Sequence, residues 1–306
     1  MWVSAMIAMS MAVDSSSQIP GMPHVEGVEH RFVDVNGLRM QVAEAGEGEP
    51  LVMLHGWPQH WYEWRHLIGP MAEHRRVICP DLRGLGWTDA PPGGYEKENL
   101  ATDVLALLDE LGIGRFELMG HDWGGWAGYL MCFREPERVK RYMALNIFPP
   151  FLPPDANNLL NLWRFWYQVV IGSPWLGRRA VQQIAKRNPV FDWIGVDAWM
   201  PPERDAFLSR FAEPARAEAS VQYYRSFLLR EMPAIAAGRY RNKWLTTPTV
   251  LLHGTGDKVQ PASALEGSEK AADDFSYELF PGVGHFIADE IPDVVVDRAR
   301  AFFGIA

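Results

Sequence analysis

The stretch Phe116-Glu-Leu-Met-Gly120-His121-Asp122-Trp123-Gly124-Gly125-Trp-Ala-Gly128 decides how this chain folds. Apolar-leaning residues run into Gly-x-Asp-x-Gly, and small and aromatic residues then continue at helical spacing. Such a pattern reads as a strand that turns abruptly into a helix. Glycines two residues before and two after the bend allow a close approach that side chains would block. In a nucleophile elbow the residue at the bend is usually Ser, lifted above the sheet on a strained turn. Asp122 holds that place here. A carboxylate is ionised at neutral pH, so it can attack without prior deprotonation. It suits a carbon bearing a leaving group and yields a covalent ester. A plainer reading stands beside this one, a glycine-rich turn whose Asp caps the following helix. The stretch alone does not separate the two.

On either side of the bend, strands and helices alternate. Glu29–Val35 and Leu38–Ala43 flank Asn36-Gly37, a strong hairpin signal. Pro50–Leu54 and Arg76–Cys79 are short apolar strands, with helical spacing between them at Trp61, Trp64, Leu67, Ile68 and Met71. The spacing predicts a helix over 97–111, with Leu100, Val104, Leu107, Leu108 and Leu111 on one face. The elbow helix ends near 134 and is followed by a strand over Arg141–Asn146. Later strands fall at Thr249–Leu252 and Phe275–Phe280, before a closing helix over 290–303. Strands separated by helices make a parallel sheet with crossover helices, and the hairpin adds an antiparallel edge. That is an α/β core. From Pro149 to 238 the rhythm stops, and prolines and five tryptophans (Trp163, Trp166, Trp175, Trp193, Trp199) punctuate helical segments. The expected organisation is an N-terminal tail over 1–27, a core from 28–150 and 239–306, and an inserted helical cap over 151–238.

Composition bounds the partners. The chain has 306 residues, 48% hydrophobic and 22% charged, as soluble globular proteins do. A net charge of −9 without a Lys/Arg block argues against nucleic acid or a membrane as partner. No apolar run is long enough to span a bilayer. The first basic residue is Arg31, so the Met/Ala-rich start lacks the basic region of a secretory signal. It is expected to be a disordered or loosely docked tail. Cys79 and Cys132 form no CxxC and read as buried thiols in a reducing compartment, which points to the cytoplasm.

An elbow predicts its partners in chain order, an acid and then a His, each on a loop beyond a strand's carboxyl end. Both are present. His253-Gly-Thr-Gly-Asp257 follows one strand, and Pro281-Gly-Val-Gly-His285 follows the next. Asp257 would fix the tautomer of His285, and His285 would activate water. Two other acid positions fare worse. Asn146 closes the strand after the elbow helix but cannot carry charge, and Asp81 lies beside Arg83, where a structural ion pair is expected. His55-Gly-Trp57-Pro58 supplies an oxyanion donor, the Trp57 N–H, to join the N–H of Trp123. Pro58 would fix that turn, for instance through a cis bond.

HGWPQHWYEWR (55–65), PDLRGLGWTDAP (80–91), GHDWGG (120–125), REPERV (134–139), GDK (256–258) and GVGH (282–285) together resemble the α/β-hydrolase-fold epoxide hydrolases. The resemblance covers about residues 28–306. It implies the α/β-hydrolase fold, no metal or organic cofactor, and a small apolar epoxide and water as substrates. The enzyme would act as a monomer or homodimer. It also implies two cap tyrosines that donate to the epoxide oxygen. Tyr167, before Gln168, matches the first, and Tyr224, before Arg225, the second, although the adjacent Tyr223 competes for that place. Both would also bind substrate, together with Trp123. The aromatic cap would suit an apolar or aryl-bearing substrate. Haloalkane dehalogenases share the Asp-Trp pair and hold halide with side-chain N–H donors, one from that Trp and often one from an Asn just after His-Gly. Position 57 is Trp instead, though cap tryptophans could substitute. Fluoroacetate-type dehalogenases would want arginines behind the nucleophile, and GHDWGGW has none. A non-catalytic binding or receptor protein on this fold is the third reading, disfavoured by the intact triad.

Overall fold

The computed structural model describes residues 19–151, 162–184 and 199–305. Residues 1–18 of the expected tail, Trp193 and the cap stretches 152–161 and 185–198 lie outside the described residues.

Strands β1 (Glu29–Val35) and β2 (Leu38–Ala45) pair antiparallel across Asn36-Gly37. They are followed by β3 (Glu49–Leu54), α1 (Arg65–Ala72), β4 (Arg75–Pro80), α2 (Lys97–Glu110), β5 (Phe116–His121), α3 (Asp122–Arg134) and β6 (Val139–Leu145). After the cap come β7 (Thr249–Gly254) and β8 (Phe275–Phe280). The eight strands lie in the order β1-β2-β4-β3-β5-β6-β7-β8, and every pairing from β4 to β8 is parallel.

Successive apolar residues of the central strands alternate between two cores, as a sheet covered on both faces demands. Val52, Leu54, Leu118, Tyr142 and Ala144 enter the core beneath α2 and α3. Their neighbours Leu51, Met53, Met119, Met143 and Leu145 enter the core shared with α1 and the last helix. The first core also takes in cap residues such as Tyr167, Phe207 and Tyr224, so cap and sheet share one apolar interior. From the expected tail, Ile19, Met22 and Val25 pack against the second core, and Pro20 accepts a hydrogen bond from the Trp87 indole.

Between β6 and β7 the described residues hold helices and no strand. These are α4 (Trp166–Ile171), α5 (Gly177–Ile184), α6 (Pro201–Leu208), α7 (Pro214–Ser226), a π-helical turn (Phe227–Glu231) and α8 (Met232–Ala236). Trp163, Trp166 and Trp175 face solvent; only Trp199 among the described cap tryptophans is buried, against Phe286. Short helices α9 (Ile287–Glu290) and α10 (Pro292–Phe303) close the chain. None of the described helices is long and apolar enough to cross a membrane.

Candidate active site

The elbow takes the predicted form. β5 ends at His121, α3 begins at Asp122, and Asp122 has φ 47°, a left-handed conformation that side chains rarely adopt. The strain persists because the surroundings leave no alternative. A Cβ at Gly124 would sit 2.3 Å from the Leu54 carbonyl, and one at Gly56 would sit 2.4 Å from the Asp122 Cβ. Only glycine permits these approaches.

The structure brings Asp122, Asp257 and His285 together. His285 Nδ1 lies 2.8 Å from Asp257 Oδ2, and its Nε2 lies 3.7 Å from Asp122 Oδ2. All three side chains are buried. Burial alone would lower the imidazole's pKa, but the facing carboxylates of Asp257 and Asp122 outweigh it and raise it to about 10. Asp257 moves the opposite way: burial would raise it, and His285 holds it at about 2. Burial likewise opposes ionisation of Asp122, yet His285, His121 and the Trp57 N–H keep its pKa below the ordinary value.

The Trp57 N–H donates to Asp122 Oδ1 at 3.0 Å, and the Trp57-Pro58 bond is cis. Because α3 starts at Asp122, the N–H of Trp123 belongs to the first turn, whose donors have no intrahelical acceptor. The Trp57 indole donates to Ser220 Oγ at 2.9 Å, so its ring is tied to the cap.

Tyr167 and Tyr224 meet above this group, ring centroids 5.7 Å apart, with Tyr224 also packed edge-on against Trp57 and Trp123. Burial and the charge of Asp122 raise both phenols' pKa, so both remain protonated donors at neutral pH. Tyr223, the competing candidate, turns away and donates to the Arg83 carbonyl at 2.9 Å.

One residue set aside by type proves central to the geometry. Asn146, with φ 41°, donates from Nδ2 to Asp257 Oδ2 at 2.8 Å and accepts the Gly254 N–H at 3.2 Å. The N–H groups of Val259 and Gln260 saturate the other Asp257 oxygen, at 2.7 and 3.0 Å. Its signal in the sequence was a polar residue closing an apolar strand. The expected Asp81–Arg83 pair does not form. Arg83 pairs with Asp103 at 2.7 Å, and Asp81 accepts the N–H groups of Trp61 and Trp87, stapling two loops. Among the described residues no cluster of three His, Cys, Asp or Glu could hold a metal ion.

With this fold and site in view, comparison with known proteins is direct. A family model described as the alpha/beta hydrolase fold matches residues 49–292, and the chain belongs to that family and is a hydrolase. Its relatives include a soluble epoxide hydrolase of Corynebacterium sp. (strain C12), 29% identical, the match covering 90% of this chain and 97% of that one. A fluoroacetate dehalogenase of Burkholderia sp. is 26% identical, over 92% of this chain and 95% of the other. Among solved structures, an epoxide hydrolase from Vigna radiata superposes with a TM-score of 0.78 at 26% identity, covering 92% of this chain and 99% of that one.

Proposed function

We propose that this protein is an epoxide hydrolase, acting on a small apolar epoxide through a covalent ester at Asp122. The observation that carries the reading is the pair of protonated phenols, Tyr167 and Tyr224, set together over a carboxylate. A strained ring needs a proton as its C–O bond breaks, whereas a departing halide needs none. A dehalogenase would also want a side-chain N–H from position 57, and that indole is engaged with Ser220.

The steps follow from the positions. Asp122 Oδ2 attacks an epoxide carbon, the ring C–O bond breaks, and a tyrosine passes its proton to the oxygen. Oδ1, already held by the Trp57 N–H, becomes the ester carbonyl oxygen. Esterification removes one of the two charges that hold the His285 proton, so that proton passes to the tyrosinate left by ring opening and the neutral imidazole can take a proton from water. The hydroxide adds to the Asp122 carbonyl carbon. The N–H groups of Trp57 and Trp123, aided by the start of α3, stabilise the oxyanion. Collapse expels the diol with a proton from His285, and the proton left on Asp122 returns to the imidazole, which restores the resting pair. The segment 151–238 serves as the lid over these steps, and the free, buried Cys79 and Cys132 support a reducing, cytoplasmic setting. Purified protein given styrene oxide and 1-bromobutane in parallel tests the assignment. Styrene glycol without bromide is expected; bromide release, or no diol across an epoxide panel, would overturn it.

A further inference from the structure

Beneath the elbow lies a second acid–imidazole contact that the proposed steps do not use. His121 closes β5 immediately before Asp122, and Glu63 sits on the short helical turn Trp61–Trp64, just past the Trp57-Pro58 bend. Both side chains are buried. His121 Nε2 is 2.9 Å from the carbonyl oxygen of His285. A carbonyl can only accept, so Nε2 carries a proton. On the other side of the ring, Nδ1 lies 2.9 Å from Glu63 Oε1, oblique to the N–H line. Two lone pairs would repel at that distance, so this contact requires a proton as well. Burial raises the Glu63 pKa, while His121 and the Gly56 N–H, which the remaining Glu63 oxygen accepts at 3.1 Å, oppose that shift and favour the ionised carboxylate. Asp122, next in the chain, favours a cation at His121.

We propose that Glu63 and His121 form a buried carboxylate–imidazolium pair that positions the reacting groups and fixes a positive charge beside His285. Glu63 anchors the turn that presents the Trp57 N–H, while His121 anchors the loop that presents the His285 ring. One pair thus ties the oxyanion donor and the base to the residue before the nucleophile. Its charge matters at a particular moment. The rings of His121 and His285 are 5.0 Å apart. In the resting protein, Asp122 and Asp257 both favour a protonated His285. Once Asp122 is esterified, only Asp257 does, and the neighbouring cation then tips His285 toward the neutral form that can deprotonate water. The charged and titratable groups around the pair are Asp122 on the same chain segment, His285 from its loop, His55 from the end of β3, and Asp289, which bears on Glu63 from α9.

The kinetic half of this proposal rests on the epoxide hydrolase reading; the charge state does not, and the test separates them. Glu63→Gln keeps an oxygen for the Gly56 N–H but removes the anion, so His121 should lose its second proton. With styrene oxide, the acid limb of ester breakdown should move up by about one pH unit, a deficit of about tenfold at pH 6 that closes toward pH 9. Glu63→Asp should return the limb toward wild type. A Glu63→Gln profile parallel to wild type at every pH would reduce the pair to a structural prop and overturn the proposal. Should that variant fail to fold, or no epoxide react, ¹⁵N-histidine NMR of the unmodified protein decides. His121, assigned against His121→Gln, should show two protonated nitrogens from pH 6 to 9; one unprotonated nitrogen would overturn the pair.

Discussion

Each side chain around Asp122 has a separable job under the covalent route, and substitutions should break the cycle at different points. Asp122→Asn keeps the elbow but removes the nucleophile, so turnover should fall by at least about 10³-fold, with no covalent adduct in the mass spectrum. His285→Gln should still open the epoxide and then stall, leaving a protein heavier by one substrate. Absence of that adduct would contradict the role of His285 as the base of the second step. Tyr167→Phe should slow ester formation by roughly 10²-fold, the lower range for a lost general acid, measured by pre-steady-state quenching of tryptophan fluorescence. An unchanged rate would remove Tyr167 from the site. The roles proposed for Asp122, Asp257 and His285 were legible because each rests on a local signal, a glycine-flanked residue just past a strand. That of Asn146 was not. It meets Asp257 111 positions away, and nothing near Asn146 in the chain announces that partner.

The elements themselves were largely legible, since period-two and helical spacings are local properties. Boundaries moved where the ladder, not the side-chain pattern, decides. β6 begins at Val139 instead of Arg141 because Val139 pairs with Phe116 across a register shift. What the pattern could not reveal is how the cap is fastened to the core. The carboxylate of Glu231, on the π-helical turn, accepts both the backbone N–H of Lys97 at 2.8 Å and its ammonium at 3.1 Å. It thereby caps the start of α2 from 134 positions away. The Lys97 ammonium in turn lies 4.3 Å from the ring centre of Trp123. Burial lowers the Lys97 pKa and Glu231 opposes that shift. Removing one partner of such a buried pair leaves an uncompensated charge, so Glu231→Ala should cost about 3–5 kcal/mol, read from urea denaturation. A loss near that of an exposed ion pair would show that water reaches Lys97.

At the scale of the whole molecule, the parallel sheet gathers loops distant in sequence at one edge, and described helices between β6 and β7 pack into the same core. Asp289 shows the coupling: it accepts from Arg65, from Gln59 and from the cap's Trp199, just past the loop that carries His285. The buried Asp257–His285 pair also ties stability to pH. Asp257, held at about 2, stabilises the fold above its unfolded value near 3.9 and loses that contribution as pH falls through 2. His285, raised to about 10, contributes fully below about 6.5 and loses that contribution as pH rises through 10. The difference in unfolding free energy between the wild type and Asp257→Asn should therefore be greatest between about pH 4 and 6.5 and shrink on both sides; a difference independent of pH would contradict the pairing. The covalent ester is the claim on which the rest depends, and one turnover in ¹⁸O-water tests it most directly. Water attacks the carbonyl carbon of the ester, so the first diol carries away an unlabelled oxygen from Asp122. The label should appear in the Asp122 carboxylate, in the peptide that contains it. Label in the diol on that first turnover, with Asp122 unlabelled, would contradict the ester and leave direct attack by water on the epoxide.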